Sequence, residues 1–208
     1  MYFLGVDLTP PEPSQDRRVR RSRAALMQAA VDLVTERGTA AIPLSDLADA
    51  ADVSRKVVYQ HFGDRDALLV AAAVDLASNE LLARPADDGR TPDARGGALA
   101  VARHFAGHRP FYRALMTGPT ALAVDQGLIT LLRPLNREGI RQLHGAGLTP
   151  SELDDIATFV TGGAAAFVRA WVIDGPDPLD PEAFTDRLLR VTSVLHAAES
   201  TSDRKDRP

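Results

Sequence analysis

Apolar residues in this chain recur every three or four positions, and clusters of glycine and proline cut that rhythm into blocks of helix length. The first block, about residues 17–37, puts Leu26, Ala30, Leu33 and Val34 on one stripe, and Gly38 stands where a helix stops. Two short helices are predicted over roughly 43–51 and 54–62, parted by Asp52 and Val53. Gly63 ends the second, and Asp64 caps a longer helix that runs through Leu82 with Leu68, Leu69, Ala72 and Leu76 on its core side. Helical patterning resumes over 98–107, 110–117 and 120–145. Pro134 removes a backbone donor from the last of these and is expected to kink or break it. A long helix over 151–174 steps through Leu153, Ile156, Val160, Gly163, Phe167 and Trp171. Ala157, Ala164, Val168 and Val172 occupy its other faces, so burial nearly all round is expected. The last helix, 182–199, aligns Phe184, Leu188, Val191, Leu195 and Ala198 on one seam. Strand signals are scarce, and the predicted class is all-α.

The breaks between blocks divide the chain. Residues 1–16 hold Pro10, Pro11 and Pro13 and read as a disordered tail. Residues 17–63 form a three-helix unit, 64–82 a connecting helix, 83–97 (ARPADDGRTPDARGG) a linker loop, 98–199 a second helical domain, and 200–208 a tail. At 208 residues the chain is long enough to bury a core without staples. It contains no cysteine, so disulfides, thiolate metal sites and cysteine nucleophiles are excluded, and a reducing cytoplasmic setting is expected. No uninterrupted run of 18 apolar residues occurs, and the amino terminus lacks a basic region followed by an apolar one. Neither a membrane span nor a secretory signal is expected. The net charge of −4 argues superficially against nucleic acid.

The stretch from Leu44 to Phe62 is where the sequence becomes specific. Leu47 and Ala48 face inward on the first short helix, Val53 seals the turn, and Val58 and Phe62 are core contacts of the second. Ser54 stands at the N-cap, where it can satisfy a free backbone N–H. Arg55, Lys56, Tyr59 and Gln60 are left facing outward, with His61 at the flank. Cations and hydroxyls suit phosphates, and an amide and a guanidinium suit base edges. Two short amphipathic helices alone would equally fit a bundle with an ordinary polar face.

The spacing separates the two. Val53-Ser54, Val58-Tyr59, His61-Phe62, Asp66 and Leu68 together resemble the DNA-binding half of the tetracycline-repressor (TetR) family, closely over residues 20–70. The resemblance implies a helix-turn-helix domain with 54–62 as recognition helix. It implies phosphate contacts by Tyr59, His61 and Arg65, base contacts by Arg55, Lys56 and Gln60, and further DNA contacts from Leu44, Ser54 and Val57. Three positions depart from the family pattern. Asp52 replaces the usual turn glycine, which a left-handed aspartate tolerates. Pro43 replaces a capping Ser or Thr and cannot donate to phosphate, and Lys56-Val57 stand where small residues are common. Upstream, Arg17, Arg18, Arg20, Arg21 and Arg23 crowd into seven residues beside the helix that would cross the DNA backbone. Arg20, Arg21 and Arg23 are therefore taken as phosphate or minor-groove contacts. Residues 1–66 still carry nine Lys and Arg against ten Asp and Glu, so the cations are clustered rather than numerous.

The second half resembles the family's regulatory half more loosely, in helix order and in the stretches from His108 to Met116 and from Asp155 to Trp171. The family likeness implies a homodimer through helices 151–174 and 182–199, and a pocket for a small, partly apolar effector. The candidate lining is Phe105, Met116, Leu128, Leu132, Phe159 and Phe167, with His104, Tyr112 and Asn136 as polar members. Gly127, Gly162 and Gly163 leave room either for a ligand or for close helix packing. His104 and His108 have metal-ligand spacing, but no HExxH motif or nearby third ligand accompanies them, so no metal or other cofactor is assigned. No nucleotide-binding glycine motif or nucleophile elbow is present, and an enzyme is not expected. The expected function is a homodimeric repressor that binds palindromic double-stranded operator DNA and releases it on binding an effector. The alternative is a small-molecule sequestering protein with a vestigial DNA-binding half.

Overall fold

A computed structural model describes residues 13–82, 94–144 and 147–202, with the side chains of 13–16, 144 and 194–202 left aside. Among the described residues there are nine helices and no strand: α1 (Pro13–Arg37), α2 (Leu44–Ala50), α3 (Arg55–Phe62), α4 (Arg65–Leu81), α5 (Ala94–Gly107), α6 (Arg109–Met116), α7 (Ala121–His144), α8 (Pro150–Asp174) and α9 (Pro181–Ser202).

The first four helices follow the apolar stripes. Leu26, Ala30 and Val34 of α1 are fully buried, four residues apart, and meet Leu47 and Ala48 of α2, Val58 of α3 and Leu68 and Leu69 of α4. Gly38 ends α1 at φ +63°. Asp52 holds φ +52° between α2 and α3, so an aspartate occupies the left-handed turn position without glycine. Asp64 caps α4 by accepting a bond from the Ala67 N–H at 2.7 Å.

The core does not stop at the end of this unit. One cluster of buried side chains runs from Leu26 through Ala72, Ala73 and Ala77 of α4 to Phe105, Phe111, Tyr112 and Leu115 and on to Val172 and Phe184. Helix α4 packs against α1, α3, α5 and α7. Its approach to α7 is close because a side chain at Gly127 would put its Cβ 2.7 Å from Val74 Cγ2, so this glycine serves helix packing rather than ligand space. Trp171 stacks on Phe184 at 4.2 Å, joining α8 to α9. A full capping box starts α8: Thr149 and Glu152 each accept from the other's backbone N–H. Arg109 closes the helix by donating to the carbonyls of Val172, Gly175 and Pro176 at 2.7–3.1 Å, which complements the negative end of the helix dipole.

Several expectations are corrected. Helix α1 begins at Pro13, inside the stretch taken as tail, where proline's fixed φ suits a first turn; residues 1–12 lie outside the described residues. Helix α5 begins at Ala94, within the expected linker 83–97, of which 83–93 lie outside the description, and Gly96-Gly97 are simply helical. Helix α9 continues through Ser202, beyond residue 199, and 203–208 are not described. Helix α7 runs unbroken through Pro134. The carbonyl that the proline leaves without a donor belongs to exposed Thr130, where water can serve it. Helix α8 is not buried all round: an 18-residue stretch has mean hydropathy 1.6, yet only 28% of it is buried. By length and composition alone this helix is long and apolar enough to cross a membrane, which the absence of an uninterrupted apolar run had seemed to exclude.

Candidate nucleic-acid interface

Helix α3 is held by one side of its surface and open on the other. Val58 is fully buried, and Val57, Phe62 and, from α2, Leu44 pack half-buried against the same core. Ser54, Arg55, Lys56, Tyr59 and Gln60 are exposed, Tyr59 to 58%. Leu44 and Val57, expected at the DNA, therefore serve mainly as anchors in this arrangement.

The N-terminal end of α3 is electropositive for two reasons, and its cap adds a free hydroxyl. No acidic residue stands in its first turn. Arg55 and Lys56 have no ion pair among the described residues. Ser54 adopts the extended N-cap backbone (φ −76°, ψ 152°), but its hydroxyl makes no capping bond, contrary to expectation. The Val57 N–H donates to the Ser54 carbonyl at 2.9 Å, and the Ser54 hydroxyl with the N–H groups of Arg55 and Lys56 makes a donor set suited to a phosphate. Pro43 sits at the N-cap position of α2 with no side-chain bond to offer, as its chemistry requires.

Arg17, Arg18, Arg20 and Arg21 of α1 are exposed. Arg23 is not a free cation. Its Nη1 donates to the His61 carbonyl at 2.6 Å, and its guanidinium lies 4.4 Å from the centre of the Phe62 ring. It thereby clasps the C-terminal end of α3 to α1, and the phosphate contact expected of it competes with that job. His61 joins the clasp through Nε2, 2.8 Å from the Ser22 hydroxyl. Burial first, and the charge of Arg23 second, hold the His61 imidazole below its ordinary pKa. Its neutral ring can hydrogen-bond a phosphate but brings no charge. Arg65 is paired with its neighbour Asp66 at 2.7 Å, so it too starts from an internal contact.

The residues expected to line an effector pocket do not surround one space. Phe105, Tyr112, Met116 and Leu128 are filled into the core, and the rings of His104, Phe105 and Tyr112 lie within 5.3 Å of one another. Leu132 is half-buried, Asn136 donates to the Thr161 hydroxyl at 2.9 Å, and Phe167 is covered by Arg187 at 4.4 Å. Phe159 stands 69% exposed on α8, on the opposite side from buried Ala157 and Thr161, and is not an interior residue. Two open clefts are present instead. One, of about 370 Å³, is lined by α7 and α8 residues including Ile129, Gly162, Ala166 and Arg169, and contains none of the expected set. The other, of about 380 Å³ between α4 and α5, contains His104 alone of that set. Here the fold supplies what the sequence lacked: Glu80 of α4 reaches both His104 and His108 at 2.7 Å. Glu80 lies 24 residues from His104 across the expected linker, so no local spacing could reveal it.

Comparison with known proteins agrees with this geometry. Residues 26–72 match the profile described as bacterial regulatory proteins, tetR family. Over 74 residues the chain is 39% identical to the HTH-type transcriptional repressor Rv3405c of Mycobacterium tuberculosis, an alignment covering 33% of this chain and 39% of that protein. The same figures hold for the HTH-type transcriptional regulator Mb3439c of Mycobacterium bovis. The chain thus matches less than half the length of these curated relatives, all of them regulators rather than enzymes. Among solved structures it is similar to RolR without ligand (TM-score 0.60, 22% identity, 81% of this chain and 89% of that one). It is also similar to the dihydroxyacetone kinase operon activator DhaS (TM-score 0.59, 15% identity, 84% and 95%). A TetR-family regulator from Rhodococcus sp. is another (TM-score 0.58, 20% identity, 84% and 98%). These likenesses establish the whole all-α fold, an N-terminal helix-turn-helix unit followed by a helical body.

The clasp yields a prediction. Arg23→Ala removes a charge-assisted bond and a ring contact, and should lower the unfolding free energy by about 1–2 kcal/mol. It also removes a charge that depresses His61, so the His61 pKa, followed by NMR titration, should rise. In the wild type the depressed pKa favours the neutral ring in the folded state. The associated stability is therefore present above about pH 6.5 and is lost as the pH falls below it. An unchanged His61 pKa in Arg23→Ala would show that the clasp is not formed.

Proposed function

We propose, from the match of residues 26–72 to the profile of the tetR family of bacterial regulatory proteins, that this chain is a transcriptional repressor. It binds a palindromic operator as a homodimer and leaves it when a small molecule occupies the C-terminal body. The observation that carries this reading is the outward face of α3, where Arg55, Lys56, Tyr59 and Gln60 stand exposed around a buried Val58 anchor. An exposed helix of eight residues with uncompensated cations at its first turn fits a major groove. Arg55, Lys56 and Gln60 would then read base edges. Ser54 and Tyr59 would hold phosphates, and Arg20 and Arg21 would follow the backbone or the minor groove. A relative named as a repressor favours repression.

Dimerisation is supported by α8. Phe159, Gly163, Ala166 and Ala170 are exposed at steps of four, three and four, which makes one continuous face. A Cβ placed on Gly162 or Gly163 would meet nothing within 4 Å, so the face is open to a second backbone. Phe184 and Leu188 of α9 instead pack within their own subunit, whereas Val191 is 46% exposed. Two copies joined this way would present two recognition helices to half-sites about 34–36 Å apart. Small-molecule control is supported by the solved complex of RolR with resorcinol. A ligand entering between α7 and α8 would act on α4 and α6, which pack on α7, and through them on α1, shifting the population toward dimers mis-spaced for DNA.

Two experiments test this. In selection from random duplexes, Tyr59→Phe should weaken every selected sequence by a similar factor, whereas Gln60→Ala should change the preferred base at one position of each half-site. An unchanged preference in Gln60→Ala would refute the assignment of base contacts. Phe159→Glu places two charges in the proposed dimer face and should sediment as a folded monomer with at least about a tenfold loss of operator affinity. A Phe159→Glu dimer indistinguishable from wild type would move the interface elsewhere.

A further inference from the structure

The cleft between α4 and α5 holds three side chains that the DNA-binding reading does not use. Glu80 lies in the last turn of α4, while His104 and His108, four residues apart, close α5 and cap α6. One carboxylate oxygen of Glu80 is 2.7 Å from His104 Nδ1 and the other is 2.7 Å from His108 Nε2. All three ligand atoms lie within 4.8 Å of one another.

The hydrogens around His104 make this arrangement informative. The Tyr112 hydroxyl has one proton and donates it to the Ala73 carbonyl at 3.1 Å. At its 2.7 Å contact with His104 Nε2 the tyrosine oxygen is then free to accept, an arrangement that goes with the tautomer carrying the ring hydrogen on Nε2. In that tautomer His104 Nδ1 presents a lone pair toward a carboxylate oxygen, as a metal-ligating nitrogen does. In the other tautomer Nδ1–H donates to Glu80, and a cation binding between the two displaces that proton. A proton satisfies one such contact, whereas a divalent cation satisfies both imidazoles and the carboxylate together. The bond from His104 Nε2–H to Tyr112 is also the kind of outer contact that fixes the tautomer of metal-ligating histidines.

We propose that Glu80, His104 and His108 bind one divalent transition-metal ion of the zinc class. Two imidazoles and a carboxylate suit zinc, nickel, cobalt or iron and are too nitrogen-rich for magnesium or calcium. Bonds of about 2.0–2.1 Å in tetrahedral geometry set ligand atoms roughly 3.3 Å apart, so the ligands spread by several tenths of an ångström on binding. The accessible side chains of Glu80 and His108, 44% and 29% exposed, allow that, while His104 at 1% is the fixed member. Three protein ligands leave a coordination position open to the cleft, so the ion exchanges with solvent and takes a fourth ligand from it. The site joins α4 to α5. An ion there locks the end of the helix whose other end packs beneath α3.

The site is tested without DNA, so its fate is separate from that of the repressor reading. Tag-free full-length protein, dialysed against a chelator, is titrated with Zn²⁺ in competition with a chromophoric chelator, and with Co²⁺ followed by its visible bands. The expected result is one ion per chain, a Zn²⁺-dependent rise in Tm, and Co²⁺ bands of nitrogen and oxygen ligation. Glu80→Gln and His108→Ala should each weaken binding at least about tenfold. Because His104 is buried and its replacement can unfold the chain, the two accessible ligands carry the test, with circular dichroism confirming that both variants fold. No stoichiometric ion in the wild type, or binding that both variants retain, would overturn the proposal.

Discussion

Everything in this molecule leans on the packing of α4. Its first turn is fixed by the Asp64 cap, its Leu68 and Leu69 complete the core beneath α3, and its Ala72, Ala73 and Ala77 let neighbouring helices come close. The same helix receives Gly127 of α7 against Val74 and ends at Glu80 beside the histidine pair. Small side chains on a central helix trade apolar area for close approach, and dense packing transmits displacement rather than absorbing it. A chain organised this way has two helical units joined through one central rod. The buried cluster that runs without interruption from Leu26 to Phe184 is the physical basis for coupling them.

Electrostatics around α3 is a matter of placement. The chain as a whole carries a net charge of −4, and its first 66 residues have no basic excess. The face of α3 is nonetheless positive, because Arg55 and Lys56 lack acidic partners among the described residues and the helix N-terminus adds its own partial charge. Elsewhere arginines are consumed internally: Arg23 on His61 and Phe62, Arg37 on Asp46, Arg65 on Asp66 and Arg109 on the end of α8. Counting cations would rank these together, whereas geometry divides them into structural clasps and free charges.

Much of this was legible from residue spacing. The helix-turn-helix, its inward residues Leu47, Ala48 and Val58, and the left-handed Asp52 follow from local periodicity and turn chemistry, which short-range sequence encodes well. Helix ends were less legible. Pro13, Gly96 and Gly97 carry weak local helix preference that packing or a favourable first-turn position overrides. The effector residues were read from the apolar faces of three helices, and such faces cannot distinguish a filled core from a lined cavity. Phe105, Tyr112 and Met116 fill space, and Phe159 points out of it. Arg23 looked like one more arginine in a basic run, because its bond to a carbonyl 38 residues away leaves no trace in local pattern. The same holds for Glu80, whose partners lie beyond a proline- and glycine-rich stretch.

The central claim is that α3 and its symmetry mate read a specific DNA sequence. Nuclease footprinting of purified protein on the DNA flanking its own gene, at fixed salt and with random-sequence competitor, addresses it most directly. One protected region is expected, with two inverted half-sites whose centres lie about one helical turn, 34–36 Å, or a multiple of it apart. Protection no stronger than on random DNA at the same salt would contradict it.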